Sequence, residues 1–290
     1  MSRPLGLGFA LGSGGAARGF DFGGDHLPAG ASLTRASPAS VIAPSGAMQT
    51  VAADTPRVDH ADGVRRGLLV ERAATNLVTQ STAIGGWLAD SGRGGSPVGI
   101  TPNDAAAPDG STSAARLFFE HNTGYVRLLY YPVVPGPGDY CFSIWLRSTT
   151  PGRSIAMSLG SMLGSTLMLD AQWRRFSVTA PIEDSAQCQL ILWPFIADTP
   201  DRATLHAWGA QVEAGTAPTS YIATGATPAT RAADVLALNW GVHGVADGPL
   251  AVRYSFDDGS IATGTQTVAG GSATVPTDLP RSALRRIERA

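Results

Sequence analysis

The sequence predicts an all-β chain: an antiparallel β-sandwich of the jelly-roll kind, preceded by an irregular N-terminal arm and followed by a small C-terminal β unit. Three observations carry that prediction. Between about residues 76 and 224, short apolar runs alternate with turn residues at the spacing of sandwich strands. Almost every run holds a Trp or Tyr, as in Cys141-Phe-Ser-Ile-Trp-Leu-Arg147, Trp173-Arg-Arg-Phe-Ser-Val-Thr179 and His206-Ala-Trp-Gly-Ala-Gln-Val-Glu213. Gly (35) and Pro (20) are abundant among the 290 residues, which suits a chain of many turns.

Residues 1–30 are Gly-rich and aperiodic and read as an arm or linker. The first residues hold a short apolar stretch broken by Gly6, Gly8 and Gly12, which reads as a mature, flexible arm rather than a secretory leader. Residues 31–72 contain four short β-like pieces: Ser32–Arg35, Ser40–Ala43, Gln49–Ala52 and Gly67–Glu71. Each is too short to bury a face alone and must pack on a neighbour, either the next domain or another copy of the chain. The sandwich is expected over residues 73–226. Leu77–Gln80 opens it, and Ala107-Pro-Asp-Gly110 is a turn. Strands follow at 115–119, 125–131, 139–147, 153–158, 165–170, 173–180, 188–195 and 203–213. Alternation puts Phe142, Ile144 and Leu146 on one side and Cys141, Ser143, Trp145 and Arg147 on the other. Cys188–Phe195 is apolar on both sides, the mark of a central strand. Residues 227–290 hold strands at Val235–Leu238, Leu250–Phe256, Ile261–Val268 and Ala273–Val275, with a hairpin turn at Asp257-Asp-Gly259. The tail from Ser282 is a last strand or one helical turn. A unit of about 60 residues is too small to be stable without a neighbour.

Composition excludes several functions. The net charge of −2 gives no electrostatic case for nucleic acid or an anionic membrane, and no run approaches the length of a membrane-spanning helix. All 21 basic residues are Arg. With no Lys there is no P-loop lysine, no Schiff base and no Ser–Lys pair. Cys141 and Cys188 form no C-x-x-C and support no zinc site; whether they bridge depends on strand neighbourhood. No G-x-S-x-G or H-E-x-x-H is present. Carboxylates for glycoside cleavage would have to come from distant strands, such as Glu120, Glu183 or Glu213 with an Asp.

The strand sequences quoted above, with Pro218-Thr-Ser-Tyr-Ile222, resemble the carbohydrate-binding-module-like jelly roll of bacteriophage tail and head-fibre proteins. The flanks Ser32–Ser37, Pro56–Asp59, Arg66–Glu71 and Ala74–Leu77 are similar to the lead-in of phage head-spike fibres, which also occur on gene transfer agents. Arg253–Gly259 and Leu284–Ile287 resemble their terminal β unit. The resemblance implies a non-enzymatic adhesin on the surface of a virion or phage-like particle. It would be oligomeric, docked to other particle proteins through its N-terminal segment, and would bind a host-cell glycan or capsular polysaccharide. A depolymerase and a purely structural capsid or tail decoration are the alternatives. No cofactor is expected. Such modules often carry a structural Ca²⁺ near a strand end, for which Asp109 and Glu213 are the candidates, although they lie in no Asp-x-Asp run.

A sugar site needs an aromatic platform beside planar hydrogen-bonding groups. Trp145 with Arg147 is the first candidate. Tyr125 with Arg127 repeats the spacing and is expected on the same face. Trp193 is a further candidate whose alternative place is the core. For Trp145 the alternative is packing between the sheets, with Arg147 paired to an Asp. Trp208 is read as core, and His206 as a satisfied histidine rather than a ligand.

Overall fold

The computed structural model describes residues 19–93, 95–121, 125–150, 152–160, 164–194 and 201–290. In chain order the strands begin with β1 (Gly19–Asp21), β2 (Ala31–Thr34), β3 (Ala39–Ile42), β4 (Met48–Val51), β5 (Val58–Ala61), β6 (Val64–Leu69) and β7 (Ala74–Asn76). The sandwich strands are β8 (Leu88–Gly92), β9 (Gly99–Ala105), β10 (Ala114–His121), β11 (Tyr125–Tyr130), β12 (Gly138–Ser148), β13 (Arg153–Leu159), β14 (Ser165–Leu169), β15 (Arg174–Ile182), β16 (Leu190–Pro194) and β17 (Asp201–Ala214). The chain continues with β18 (Ala229–Arg231), β19 (Val235–Asn239), β20 (Gly248–Phe256), β21 (Ile261–Val268), β22 (Ser272–Thr274) and β23 (Ala283–Arg289). No helix among the described residues is long and apolar enough to cross a membrane.

The all-β class and the jelly-roll sandwich hold. Two antiparallel sheets, ordered β15-β12-β17-β10-β9 and β14-β13-β16-β11-β8, face each other. Their inner faces supply the main core, with Leu117, Phe119, Leu128, Phe142, Ile144, Leu146, Ile155, Met157, Leu190 and Leu192 all buried. The alternation read for 141–147 is the one observed: Phe142, Ile144 and Leu146 point inward. Of the segment Cys188–Phe195, Leu190–Pro194 forms the central strand of its sheet; Cys188 and Gln189 precede it, and Phe195 lies outside the described residues. Cys141 and Cys188 are separate, buried thiols. Cys188 sits in the inter-sheet core, and Cys141 alternates with Phe142 and so faces away from it. Burial alone pushes the Cys188 thiol up to about 11.

Three expectations need correcting. Leu77–Gln80 is not a strand: β7 ends at Asn76, Val78 tucks into the core, and Gln80 takes φ +52°. The sequence reading also passed over β8 and β9, whose Gly, Ser, Pro and Asn residues show no alternation; each is the edge of its sheet. Finally, from Gly19 onward the segment read as an arm or linker is built into the fold. β1 pairs with β23, with Gly19 opposite Glu288, and β6 continues along the same edge of β23 at Ala283 and Leu284, the other edge being taken by β20. One sheet therefore runs β21-β20-β23-β6-β5, and a second runs β2-β19-β22. Between them Phe20, Phe22, Leu33, Leu68 and Val70 share a core with Leu236, Trp240, Val252, Tyr254 and Ile287. The rings of Phe20 and Trp240 meet edge to face at 5.0 Å. Of the short pieces of residues 31–72, β2 and β6 find their neighbour in the C-terminal unit, while β3 and β4 pair with each other and rest on the sandwich through Met48 and Ser40. Residues 1–18, the rest of the arm, lie outside the described residues.

The sandwich is thus inserted between two halves of a second β body. Its entry and exit segments run side by side as the β7–β18 pair. A buried ionic knot holds the junction. Arg57 donates to Glu71 Oε2 at 2.8 Å and to Asp234 Oδ2 at 2.6 Å, and Arg35 reaches Asp234 Oδ1 at 3.0 Å. Glu71 accepts from the Ser220 backbone at 2.7 Å, so the knot binds the sandwich exit as well.

Candidate functional site

The five candidate residues divide between the outer faces of opposite sheets. Tyr125 and Arg127 sit on β11 with Trp193 on β16; Trp145 and Arg147 sit on β12, in the other sheet. The expected common face for the two aromatic–Arg pairs therefore does not form. Equal i, i+2 spacing gives a shared face only within one sheet, and the chain changes sheets between β11 and β12.

Trp145 lies neither between the sheets nor on an open surface. It is half-buried against Met48, Ala107, Trp208 and Tyr221, which wedge between the sandwich and the second body. Its indole N–H is buried without a partner. Arg147 does not pair with an Asp: its guanidinium carbon lies 4.8 Å above the centre of the Trp173 ring. Trp208 is buried, as expected, but in this wedge rather than between the sheets. Gly209 is the reason. Its φ of +66° accompanies a bulge in the β12–β17 register between Ser143 and Trp145. The bulge moves the inward positions from Leu205 and Ala207 to Ala210 and Val212. A bulge depends on a partner strand, and no alternation pattern announces it.

The outer face of β14-β13-β16-β11-β8 gathers the other three candidates. Tyr125 is 39% exposed. It stands opposite Gly92 of β8, and a side chain at Gly92 would meet its ring at 2.7 Å, so only glycine lets the ring lie there. Arg127 stacks over Tyr125 with 4.8 Å between guanidinium carbon and ring centre. Its Nε donates to Asp90 Oδ2 at 2.5 Å across the strand pair. Trp193 is half-buried. The β11–β16 register pairs Leu128 with Leu192, and one further step places Trp193 beside Arg127. On its other side stands Ala156, small enough to leave the indole room. Leu190 and Leu192 take the inward places, so Trp193 faces out of the sandwich and not into its core. The face thus presents a tyrosine ring, an indole, a planar guanidinium and a carboxylate on three neighbouring strands. Asp90 is the member that sequence reasoning missed, because β8 carried no strand signal.

Three of the residues weighed for other chemistry are committed elsewhere. Glu213 is fully buried and accepts from the Thr219 N–H at 2.6 Å, the Thr219 hydroxyl at 2.9 Å and the Gln211 amide at 2.8 Å. Asp109 caps its own turn through Ser111. Glu120 is bound to Arg202 at 2.5 Å. Among the described residues no group of three or more His, Cys, Asp or Glu side chains gathers where a metal could be held. His206, expected as a satisfied histidine, is buried on the outer face of its sheet. Its Nε2 pairs with Asp104 at 3.0 Å and its Nδ1 has no partner.

No family model matches this chain, and no curated protein matches it. Among solved structures, it is similar to a family 11 carbohydrate-binding module from Clostridium thermocellum in complex with a β-1,3-1,4-mixed-linked tetrasaccharide. The identity is 10% and the TM-score 0.34, covering 50% of this chain and 98% of that one. It is similar to the N-terminal CBM22-1–CBM22-2 tandem domain of Paenibacillus barcinonensis Xyn10C, at 12% identity and TM-score 0.33, over 77% of this chain and 92% of that one. It is also similar to the tripod from the baseplate of bacteriophage Tuc2009, at 12% identity and TM-score 0.34, over 88% of this chain and 100% of that one.

Proposed function

We propose that the chain is a non-enzymatic adhesin of a virion or phage-like particle that holds a host-cell surface or capsular glycan on the outer face of β11, β16 and β8. The observation that carries this reading is the Tyr125–Arg127–Asp90 stack with Trp193 beside it. A pyranose ring offers an apolar face of C–H groups and a rim of hydroxyls. The apolar face lies on Tyr125 and Trp193. The rim meets the guanidinium donors of Arg127 and the acceptor oxygens of Asp90. Because the Arg127–Asp90 pair is held across two strands, both groups are in position before the sugar arrives, which limits the ordering cost of binding. Single-sugar affinity is weak, and copies of the chain arrayed on one particle raise it through avidity. The second β body, with residues 1–18 leading into it, is the part assigned to docking on the particle.

The test is retention of the full chain on a glycan array and on host-cell polysaccharide. Tyr125→Ala is expected to weaken retention about tenfold, the equivalent of roughly 1.4 kcal/mol, with an unchanged melting temperature. Undiminished retention by that variant removes this face from the function. New reducing ends released by the wild-type protein turn the reading to a depolymerase.

A further inference from the structure

The opposite outer face, that of β15-β12-β17-β10-β9, carries a second constellation that the adhesin reading above does not use. Arg147, His206, Arg116 and Thr101 lie in one register row across four strands. The other cations of this face have partners: Arg175, although without a carboxylate, donates to the Thr219 carbonyl at 2.7 Å and the Ser143 hydroxyl at 2.9 Å. Asp104 takes Arg116 Nε at 3.1 Å and His206 Nε2 at 3.0 Å, and Glu120 takes Arg202. Arg147 is the exception. Among the described residues it has neither a carboxylate nor a hydrogen-bond acceptor; it is half-buried and its guanidinium carbon sits over the Trp173 ring. Trp173 is itself held, its indole N–H donating to the Ala106 carbonyl at 3.1 Å. The His206 ring lies 6.4 Å from that of Trp173, and its Nδ1 is a second polar atom in the same place with no partner.

Stacking on an indole fixes the plane of a guanidinium and covers one of its faces. The N–H edge is left to bind a carboxylate through two parallel hydrogen bonds, a geometry that a Lys could not supply. A half-buried cation with no counter-charge gains more from such an anion than a solvated one does. We infer that this face is a second saccharide site, selective for sugars that carry a carboxylate. Arg147 takes the carboxylate and the exposed rim of Trp173 takes the adjoining sugar ring. The inference rests on the adhesin reading for the ligand being a saccharide, but it uses a different face and different residues. A sandwich engaged on both faces would grip an acidic polysaccharide at two points per copy.

The experiment measures binding of the full chain by calorimetry to a panel of uronate- and sialate-containing oligosaccharides, to the methyl ester of each, and to inorganic phosphate. The wild-type protein is expected to bind acidic members at least tenfold more tightly than their esters. Arg147→Met should remove that preference, and Arg147→Lys should restore only part of it, all three proteins melting at the same temperature. Tyr125→Ala should leave the preference intact. The inference is overturned if no acidic oligosaccharide is preferred over its ester, if Arg147→Met keeps the preference, or if phosphate competes as well as the sugar acid, which would leave a general anion site. Loss of all binding in Tyr125→Ala would mean a single site on the first face and would also overturn it. Neutral-glycan retention lost in Tyr125→Ala, alongside an intact acid preference, separates the two sites.

Discussion

Gly209 decides what Trp208 and Trp145 do. A β-carbon there would stand 3.1 Å from Trp145 Cδ1, on a backbone at φ +66° that L-residues avoid. Gly209→Ala is therefore expected to destabilise the fold by about 1–3 kcal/mol, read as a lower midpoint in urea at unchanged slope. Gly92 plays a different part, since the ring it accommodates is exposed. Gly92→Ala should displace Tyr125 and weaken glycan retention while shifting the urea midpoint little. At this scale the sequence was legible where strict alternation ruled: Phe142, Ile144 and Leu146 follow from counting by two. It was opaque where one residue breaks the count. Trp145 and Arg147 are adjacent on one strand face, as read, but the bulge opposite and the segment carrying Met48 bury the indole and leave the guanidinium to Trp173.

Strands are pinned to one another by buried charge as much as by backbone pairing. Asp234 accepts from Arg35 and Arg57 with no exposure of its side chain. Asp234→Ala would leave Arg35 without a carboxylate and the knot one negative charge short, Arg57 keeping only Glu71, and is expected to cost about 3–5 kcal/mol, a large share of the stability of an ordinary domain. Asp257 makes a milder link between β6 and the lead-in to β23. It takes Arg66 Nε at 2.7 Å and Arg281 Nε at 2.8 Å. Burial pushes its pKa up, but hydrogen bonds from Arg281 and Arg66 outweigh this and hold it at about 2. A depressed folded-state pKa means that the stability it lends is present above the unfolded value of about 3.9. That stability is lost as the pH falls through about 2. After allowance for solvent screening this amounts to about 1–2 kcal/mol. Acid titration followed by circular dichroism should show Asp257→Asn destabilised at pH 6 and level with the wild type near pH 1.5. Of the elements themselves, the central strands were readable because both their faces are apolar or alternate cleanly. β8 and β9 were not, because an edge strand has only one hydrogen-bonded neighbour and tolerates the Gly, Pro and Asn that erase its pattern. Asp90 was hidden with β8.

The whole molecule is two β bodies threaded through each other rather than a row of three. Without the N-terminal segment the C-terminal unit loses Phe20, Phe22, Leu33, Leu68 and Val70 from its core. A fragment of residues 227–290 is accordingly expected to give the collapsed amide dispersion of an unfolded chain by NMR, and co-expression with residues 19–72 should recover a dispersed spectrum. Sequence reasoning recognised that both segments needed a neighbour but could not say that each was the other's, because a pairing such as Gly19 with Glu288 leaves no trace in local pattern. The interleaving also sets how this chain bears tension. A tether at the N-terminal side would pull first on the three-residue ladder of β1 along β23. Behind it stands the sheet that β23 shares with β6 and β20, and behind that the Arg57–Glu71–Asp234 clasp, where the load would cross into the sandwich. Under the proposed adhesin role, force on a held glycan would cross the Arg57–Glu71–Asp234 clasp on its way from the sandwich to the N-terminal tether.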